Sequence, residues 1–219
     1  MAGGGPGCAR KGLERRPGEG GDDRPHYRAT APAQPGELAI PTLYLLRHAK
    51  SSWEEARLPD HDRPLADRGR HAAQRMAEHL RRQRFAPALV LCSSARRARE
   101  TLELIAPALG EKTRMRVLES VYMADAEDLL DQLRRVSRTV PSVLVVGHNP
   151  GLHDLATSLA AGGGDPLDRL RVKFPTGGLA TLRVRGSGWR QLTPGGAELI
   201  AFTTPRDLES DEAAPTRDR

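Results

Sequence analysis

Aromatic residues are scarce in this chain: three Phe, two Trp and three Tyr among 219 residues. So few rings leave little surface on which bases could stack, which argues against a nucleic-acid partner despite a formal net charge of +6. Cysteine is almost absent. Cys8 and Cys92 are the only two, and they give no disulfide framework, as expected of a protein in the reducing cytoplasm. No apolar run approaches the roughly twenty residues that cross a bilayer. The first forty residues also lack the continuous apolar segment of a secretory signal. Hydrophobic residues make up only 38% of the chain, so part of it is expected to stay outside any core.

That part is the beginning. Residues 1–40 are dense in glycine and proline (Gly3, Gly4, Gly5, Pro6, Gly7, then Gly18, Gly20, Gly21, Pro32, Pro35) and show no periodic apolar face. Such a segment buries too little surface to offset its ordering entropy, so a disordered extension is expected over 1–40. One folded domain is expected over 41–205, followed by a flexible, solvated tail over 206–219. Positive charge is concentrated between Arg63 and Arg99, with only Asp67 and Glu78 against it. This stretch reads as a solvated helix face plus an anion site.

Within 41–205 strand and helix patterns alternate. Residues 43–46, 88–92, 115–118 and 142–146 read as strands, and residues 179–184 and 198–202 as later ones. Residues 68–82 carry Ala72, Ala73, Met76, Ala77 and Leu80 on one helical stripe. Further helices are expected over 96–109, 125–135 and 152–159. The run Gly162-Gly163-Gly164 lacks a phosphate-binding lysine and reads as a plain loop. Alternation of this kind predicts an α/β fold of three layers, a mostly parallel sheet flanked by helices.

The chemistry gathers where the strands end. The first runs into Arg47-His48, the second into Ser93-Ser94-Ala95-Arg96-Arg97, the third into Glu119, the fourth into Gly147-His148-Asn149-Pro150-Gly151. Ligands of open α/β sheets bind outside the carboxyl ends of the strands. Parallel strands would therefore bring arginines, two histidines and a carboxylate together as an anion site with a nucleophile and a candidate acid.

Five segments carry a family resemblance: Leu-Tyr-Leu-Leu-Arg-His-Ala-Lys-Ser-Ser-Trp (43–53), Asp-Arg-Pro-Leu-Ala-Asp-Arg-Gly (62–69), Ser-Ser-Ala-Arg-Arg-Ala-Arg-Glu-Thr (93–101), Val-Gly-His-Asn-Pro-Gly-Leu (146–152) and Phe-Pro-Thr-Gly-Gly-Leu-Ala (174–180). In this order they resemble the histidine phosphatase superfamily, of phosphoglycerate-mutase-like fold, and within it the short SixA-like phosphohistidine phosphatases. The resemblance implies a phosphatase without a cofactor or metal. It makes His48 the residue phosphorylated, Arg47 and Arg97 the clamp on the phosphoryl oxygens, and His148 the partner that stabilises transition-state charge. Ser51 would lie near the phosphate, and Glu119 is the candidate general acid. The implied partner is a phosphorylated substrate, in the nearest relatives a phosphohistidine protein; a small phosphomonoesterase and a non-catalytic phosphate-binding module are the alternatives. To leave Nε2 or Nδ1 of His48 free to attack, the other ring nitrogen should donate to a backbone carbonyl or similar acceptor.

The chain departs from the superfamily where Ala49 replaces the common glycine after the histidine, and where Glu54 stands in place of a phosphate-contacting Asn. A carboxylate there repels phosphate, so Glu54 is expected to turn away. Cys92 is read as a buried strand thiol, because Ala98 occupies the position where a cysteine phosphatase needs arginine. His71 and His79 read as surface residues. His61 and His153 lack a partner carboxylate pattern, and Lys50 reads as a loop lysine that draws anions. Asp62 and Arg63 are expected to order their loop through an ion pair.

Overall fold

The apolar runs become the centre of one sheet. In the computed structural model, which describes residues 1, 3, 40–55, 57–186 and 188–212, β1 (Thr42–Arg47) lies between β4 (Ser142–Gly147), parallel to it, and β5 (Leu179–Val184), antiparallel. β2 (Leu89–Ser93) pairs in parallel with β4 and with the edge strand β3 (Arg114–Leu118). β6 (Ala197–Thr203) closes the other edge, antiparallel to β5, so the order is β3-β2-β4-β1-β5-β6. Strands β1 to β4 run the same way, and their carboxyl ends share one edge. Nearly all of the expected extension over 1–40, and the tail beyond 212, lie outside the described residues.

Alternate side chains of each central strand enter different cores. Leu43 and Leu45 pack with Leu133, Leu152 and Leu155, from α3 (Ala126–Arg134) and α4 (Gly151–Leu159). Tyr44 and Leu46 pack instead with Met76, Leu80, Leu102 and Ile105, from α1 (Asp67–Arg82) and α2 (Arg96–Ile105). Both faces are covered, which is why the strands read as unbroken apolar runs. Each fully buried leucine contributes about 2 kcal/mol relative to exposure. The three-layer expectation holds.

Three boundaries differ from expectation. Helix α2 stops at Ile105 and tightens into a 3-10 turn over Ala106–Ala108, because Pro107 has no N–H with which to continue the ladder. The glycine run is not all loop, since Gly164 opens α5 (Gly164–Val172), whose Leu167 and Leu170 are buried. The expected flexible tail is helical over its first turns, Pro205–Glu212, here α6. Thr204 caps it: the Asp207 carboxylate accepts from Thr204 N–H and Oγ at 2.8 and 2.9 Å, as in a capping box. Leu208 is only 2% exposed in the core beside α1 and α2. Ion pairs from Arg75 to Glu209 (2.6 Å) and from Arg169 to Asp207 (2.7 Å) tie α6 to α1 and α5. One buried leucine in a polar stretch leaves no mark on composition.

Candidate active site

The end of β1 is held by backbone on both sides. His48 N–H donates to Gly147 O (3.0 Å) and Arg47 N–H to Gly178 O (3.0 Å), while Gly177 N–H donates to the carbonyls of Arg47 and His48. Gly177 has φ +76°, and a Cβ there would sit 3.0 Å from the Pro205 ring, so the turn after Phe174 requires glycine. Gly69 is needed for a different reason: its Cβ would fall 2.1 Å from Lys50 O, where α1 crosses the loop after His48.

His48 is buried, and its Nδ1 lies 2.7 Å from Ala49 O. A carbonyl can only accept, so Nδ1 carries the proton and Nε2 the lone pair. Arg97 Nε donates toward that lone pair at 3.3 Å. A further contact fixes the arrangement: Ala49 N–H donates to Thr101 Oγ1 (3.1 Å), which donates to Arg97 O (2.6 Å). Burial pushes the His48 imidazolium down to about 3, helped by His148, Arg97 and Arg47 and opposed by the bond to Ala49 O. The ring is neutral at pH 7, with its lone pair at Nε2.

Arg97, buried in the first turn of α2, joins the two histidines. Its Nη2 donates to His148 Nδ1 (3.3 Å) and to Asp60 Oδ2 (2.8 Å), and Nη1 donates to Asp60 O. His148 therefore accepts at Nδ1 and donates from Nε2 to Ser93 Oγ at 2.7 Å. Burial lowers it to about 4, with the Arg97 charge next in effect. The two imidazoles lie 4.9 Å apart between centroids. Arg47 Nη1 shares Phe174 O with Asn149 Nδ2 (2.8 and 3.0 Å), and Arg47 Nε is buried without a protein acceptor. Two guanidinium groups beside two neutral imidazoles make a pocket that favours a tetrahedral oxyanion.

The 3-10 turn Asp60–Asp62 lies against this pocket. Asp60, besides holding Arg97, accepts from Arg63 Nη1 (3.1 Å) and Tyr122 Oη (3.1 Å). Arg63 is buried: it donates to Ser51 Oγ (3.0 Å) and twice to Ser52 O, and its guanidinium lies 3.2 Å from the centre of the exposed Trp53 ring. The expected loop-ordering ion pair thus exists, but its acid is Asp60. Ser51 is held by Arg63, with Asp60 between Arg63 and Arg97. His61 corrects its own expectation, because Asp62 Oδ1 lies 3.1 Å from Nδ1 and Ser94 Oγ 2.9 Å from Nε2. Ser94 Oγ also bonds Glu119 Oε2, so Glu119 stands exposed on the rim, in the turn after β3. Tyr122 packs edge-on against both His61 and His148. Sequence reasoning missed Asp60, Tyr122 and Thr101.

Other residues fall outside the pocket. His153 bonds Leu170 O and joins α4 to α5. Glu54 is exposed, and Cys92 is buried with its thiol pushed up to about 12, chiefly by burial. Among the described residues no group of three or more His, Cys, Asp or Glu could hold a metal ion, and no helix is long and apolar enough to cross a membrane.

Residues 43–121 match the model of the histidine phosphatase superfamily (branch 1). An uncharacterized protein of Mycobacterium tuberculosis is 41% identical over 167 residues, 74% of this chain and 100% of its own. Among solved structures, a candidate phosphohistidine phosphatase SixA from Nakamurella multipartitia is 30% identical with a TM-score of 0.66, over 75% of this chain and 96% of that one. A second, named likewise and from Agrobacterium tumefaciens, is 32% identical with a TM-score of 0.63, over 76% of this chain and all of the other.

Proposed function

Because this chain belongs to the histidine phosphatase superfamily, in its SixA-like branch, we propose that it is a phosphatase in which His48 becomes phosphorylated and phosphohistidine on a protein is the substrate. The observation that carries the reading is the tautomer of His48: Nδ1–H is committed to Ala49 O, and the Nε2 lone pair faces Arg97. Nε2 attacks phosphorus in line, the bond from phosphorus to the leaving nitrogen breaks, and that nitrogen takes up a proton. Water then attacks the phosphoryl group on His48, releasing inorganic phosphate and the neutral imidazole. Arg47, Arg97 and His148 act on the charge of the equatorial oxygens, where positioning and neutralisation supply most of the rate.

A protein phosphohistidine is favoured by the two solved relatives, both named as phosphohistidine phosphatases. The arginine-rich stretch supports a phosphate site over nucleic acid, since Arg70 and Arg96 pair with Glu100, Arg75 with Glu209, and Arg63 and Arg97 are buried. The expected cytoplasmic setting goes with this reading. A small phosphomonoester is the second reading, favoured by Glu119 on the rim, where a poor leaving group would find a proton donor. The test is a panel of phosphohistidine peptides and common phosphomonoesters, with trapping of the labelled enzyme. An acid-labile, base-stable adduct should form on wild type and not on His48→Ala. An adduct that survives in His48→Ala sinks the assignment, and turnover of phosphomonoesters alone moves the substrate to the second reading.

A further inference from the structure

Three consecutive contacts on the pocket rim need more hydrogens than their neutral groups supply. Asp62 Oδ1 lies 3.1 Å from His61 Nδ1, His61 Nε2 lies 2.9 Å from Ser94 Oγ, and Ser94 Oγ bonds Glu119 Oε2. Ionised carboxylates only accept, a neutral imidazole brings one hydrogen, and a hydroxyl brings one. Two hydrogens cannot fill three contacts. Filling all three contacts takes one additional acid proton, and the geometry offers it two places. Either His61 is an imidazolium, donating to Asp62 and Ser94 while Ser94 donates to an ionised Glu119, or His61 keeps only Nδ1–H, Ser94 donates to Nε2, and Glu119 is a neutral acid donating to Ser94. The two forms interconvert when one proton moves from Nε2 to Oγ as another moves from Oγ to Oε2.

We infer that His61, acting through the Ser94 hydroxyl, stores and resupplies the proton that Glu119 delivers to the leaving group. The inference rests on the phosphatase reading above and deepens it by giving the acid its source. After Glu119 has protonated the departing atom, the shared proton is spent; Nε2 of His61 then takes up a new proton from water, and the same two shifts through Ser94 carry it to Glu119. Neither His61 nor Ser94 touches the substrate in this scheme; both are positioning residues. Asp62 fixes the His61 ring from its own turn, with Asp60 beside it, while Glu119 and Tyr122 face it from the turn after β3 and His148 acts on it from the end of β4.

The test compares an alkyl phosphate, whose alkoxide needs a proton, with an aryl phosphate, whose phenolate leaves unaided. General acid catalysis contributes about 10²-fold or more. Cutting the relay with His61→Asn or Ser94→Ala should lower the ratio of alkyl to aryl kcat by at least about 10-fold, a part of that contribution. Ser94→Thr, which keeps the hydroxyl, should restore most of the ratio. Combined with Glu119→Gln, His61→Asn should cost no more than Glu119→Gln alone, because both lie on one proton path. An unchanged ratio in His61→Asn and Ser94→Ala overturns the relay, as does equal loss on both substrates or simple additivity with Glu119→Gln. Failure of the underlying reading looks different: no phosphoryl adduct forms on His48 with either substrate.

Discussion

Acid should unfold this protein through its two pocket histidines well before its carboxylates matter. His48 is held neutral down to about 3 and His148 down to about 4 in the folded state, whereas both titrate near 6.5 in the unfolded chain. A folded pKa below the unfolded one means that the unfolded chain binds the extra protons. Stability is then complete above about 6.5 and falls with pH until the folded values are reached. For each group the slope approaches about 1.4 kcal/mol per pH unit. Integrated from pH 7 to pH 5, this gives nearly 2 kcal/mol for each histidine, or about 4 kcal/mol together. Such a loss is a large fraction of the 5–15 kcal/mol by which domains are usually stable.

The carboxylates do not mask the effect. Burial alone would raise Asp60, Glu100 and Asp207, but hydrogen bonds from Arg97, from Leu65 N–H and Arg96, and from Arg169 and Thr204 outweigh it and hold all three low. Their stabilisation is fully present above about pH 4 and is lost only as pH falls through the folded values. Urea unfolding at pH 7 and pH 5 is the assay, with the slope m checked for constancy. His148→Asn and His48→Asn should each remove roughly half of the pH-dependent loss, whatever they cost at pH 7. If the doubly substituted protein loses as much between pH 7 and pH 5 as wild type, the burial argument for both histidines is wrong.

Arg97→Lys keeps a charge but loses the fork that reaches His48, His148 and Asp60 together. Single-turnover rates on an aryl phosphate should drop by about 10²-fold or more, with binding less affected; a rate near wild type would place the clamp elsewhere. Leu208→Ala should cost about 2–3 kcal/mol in urea unfolding, and a cost near zero would mean that α6 is not docked. Gly69→Ala forces a methyl onto Lys50 O and should lower stability by about 1–3 kcal/mol in thermal melts in spite of the better helix propensity, so a neutral or stabilising result would refute the close approach.

Much of the fold could be read from the chain because both sheet faces are buried. Strands with two apolar faces appear as unbroken runs, and Leu43 to Leu46 and Val143 to Val146 could hardly be anything else. The same logic placed Arg47, His48 and His148 at the ends of β1 and β4, and Arg97 in the first turn of the helix after β2. Helix α6 escaped because its stability lies in one apolar contact and two ion pairs, none of which shows as periodicity. Thr101 escaped for a similar reason. Its hydroxyl matters only because α2 brings it to Ala49 N, 52 residues away in sequence.

The turn over Asp60–Asp62 shows where such reading must stop. Asp62 and Arg63 are adjacent in sequence, which invites an ion pair between them. A 3-10 turn has three residues per turn, so residues i and i+3 share a side while neighbours diverge by about 120°. Asp60 therefore shares a side with Arg63, and it is Asp60 whose carboxylate reaches Arg63, Arg97 and Tyr122. Asp62 turns instead to His61, which faces Ser94 at the end of β2. Which of the two acids reaches Arg97 and which reaches His61 depends on a turn of three residues that has no buried side chain and no apolar pattern. Hydrophobic periodicity carries no information about such a turn. The chemistry of the rim is set by it all the same, through donors and acceptors that must pair across elements once the strands have placed them within reach.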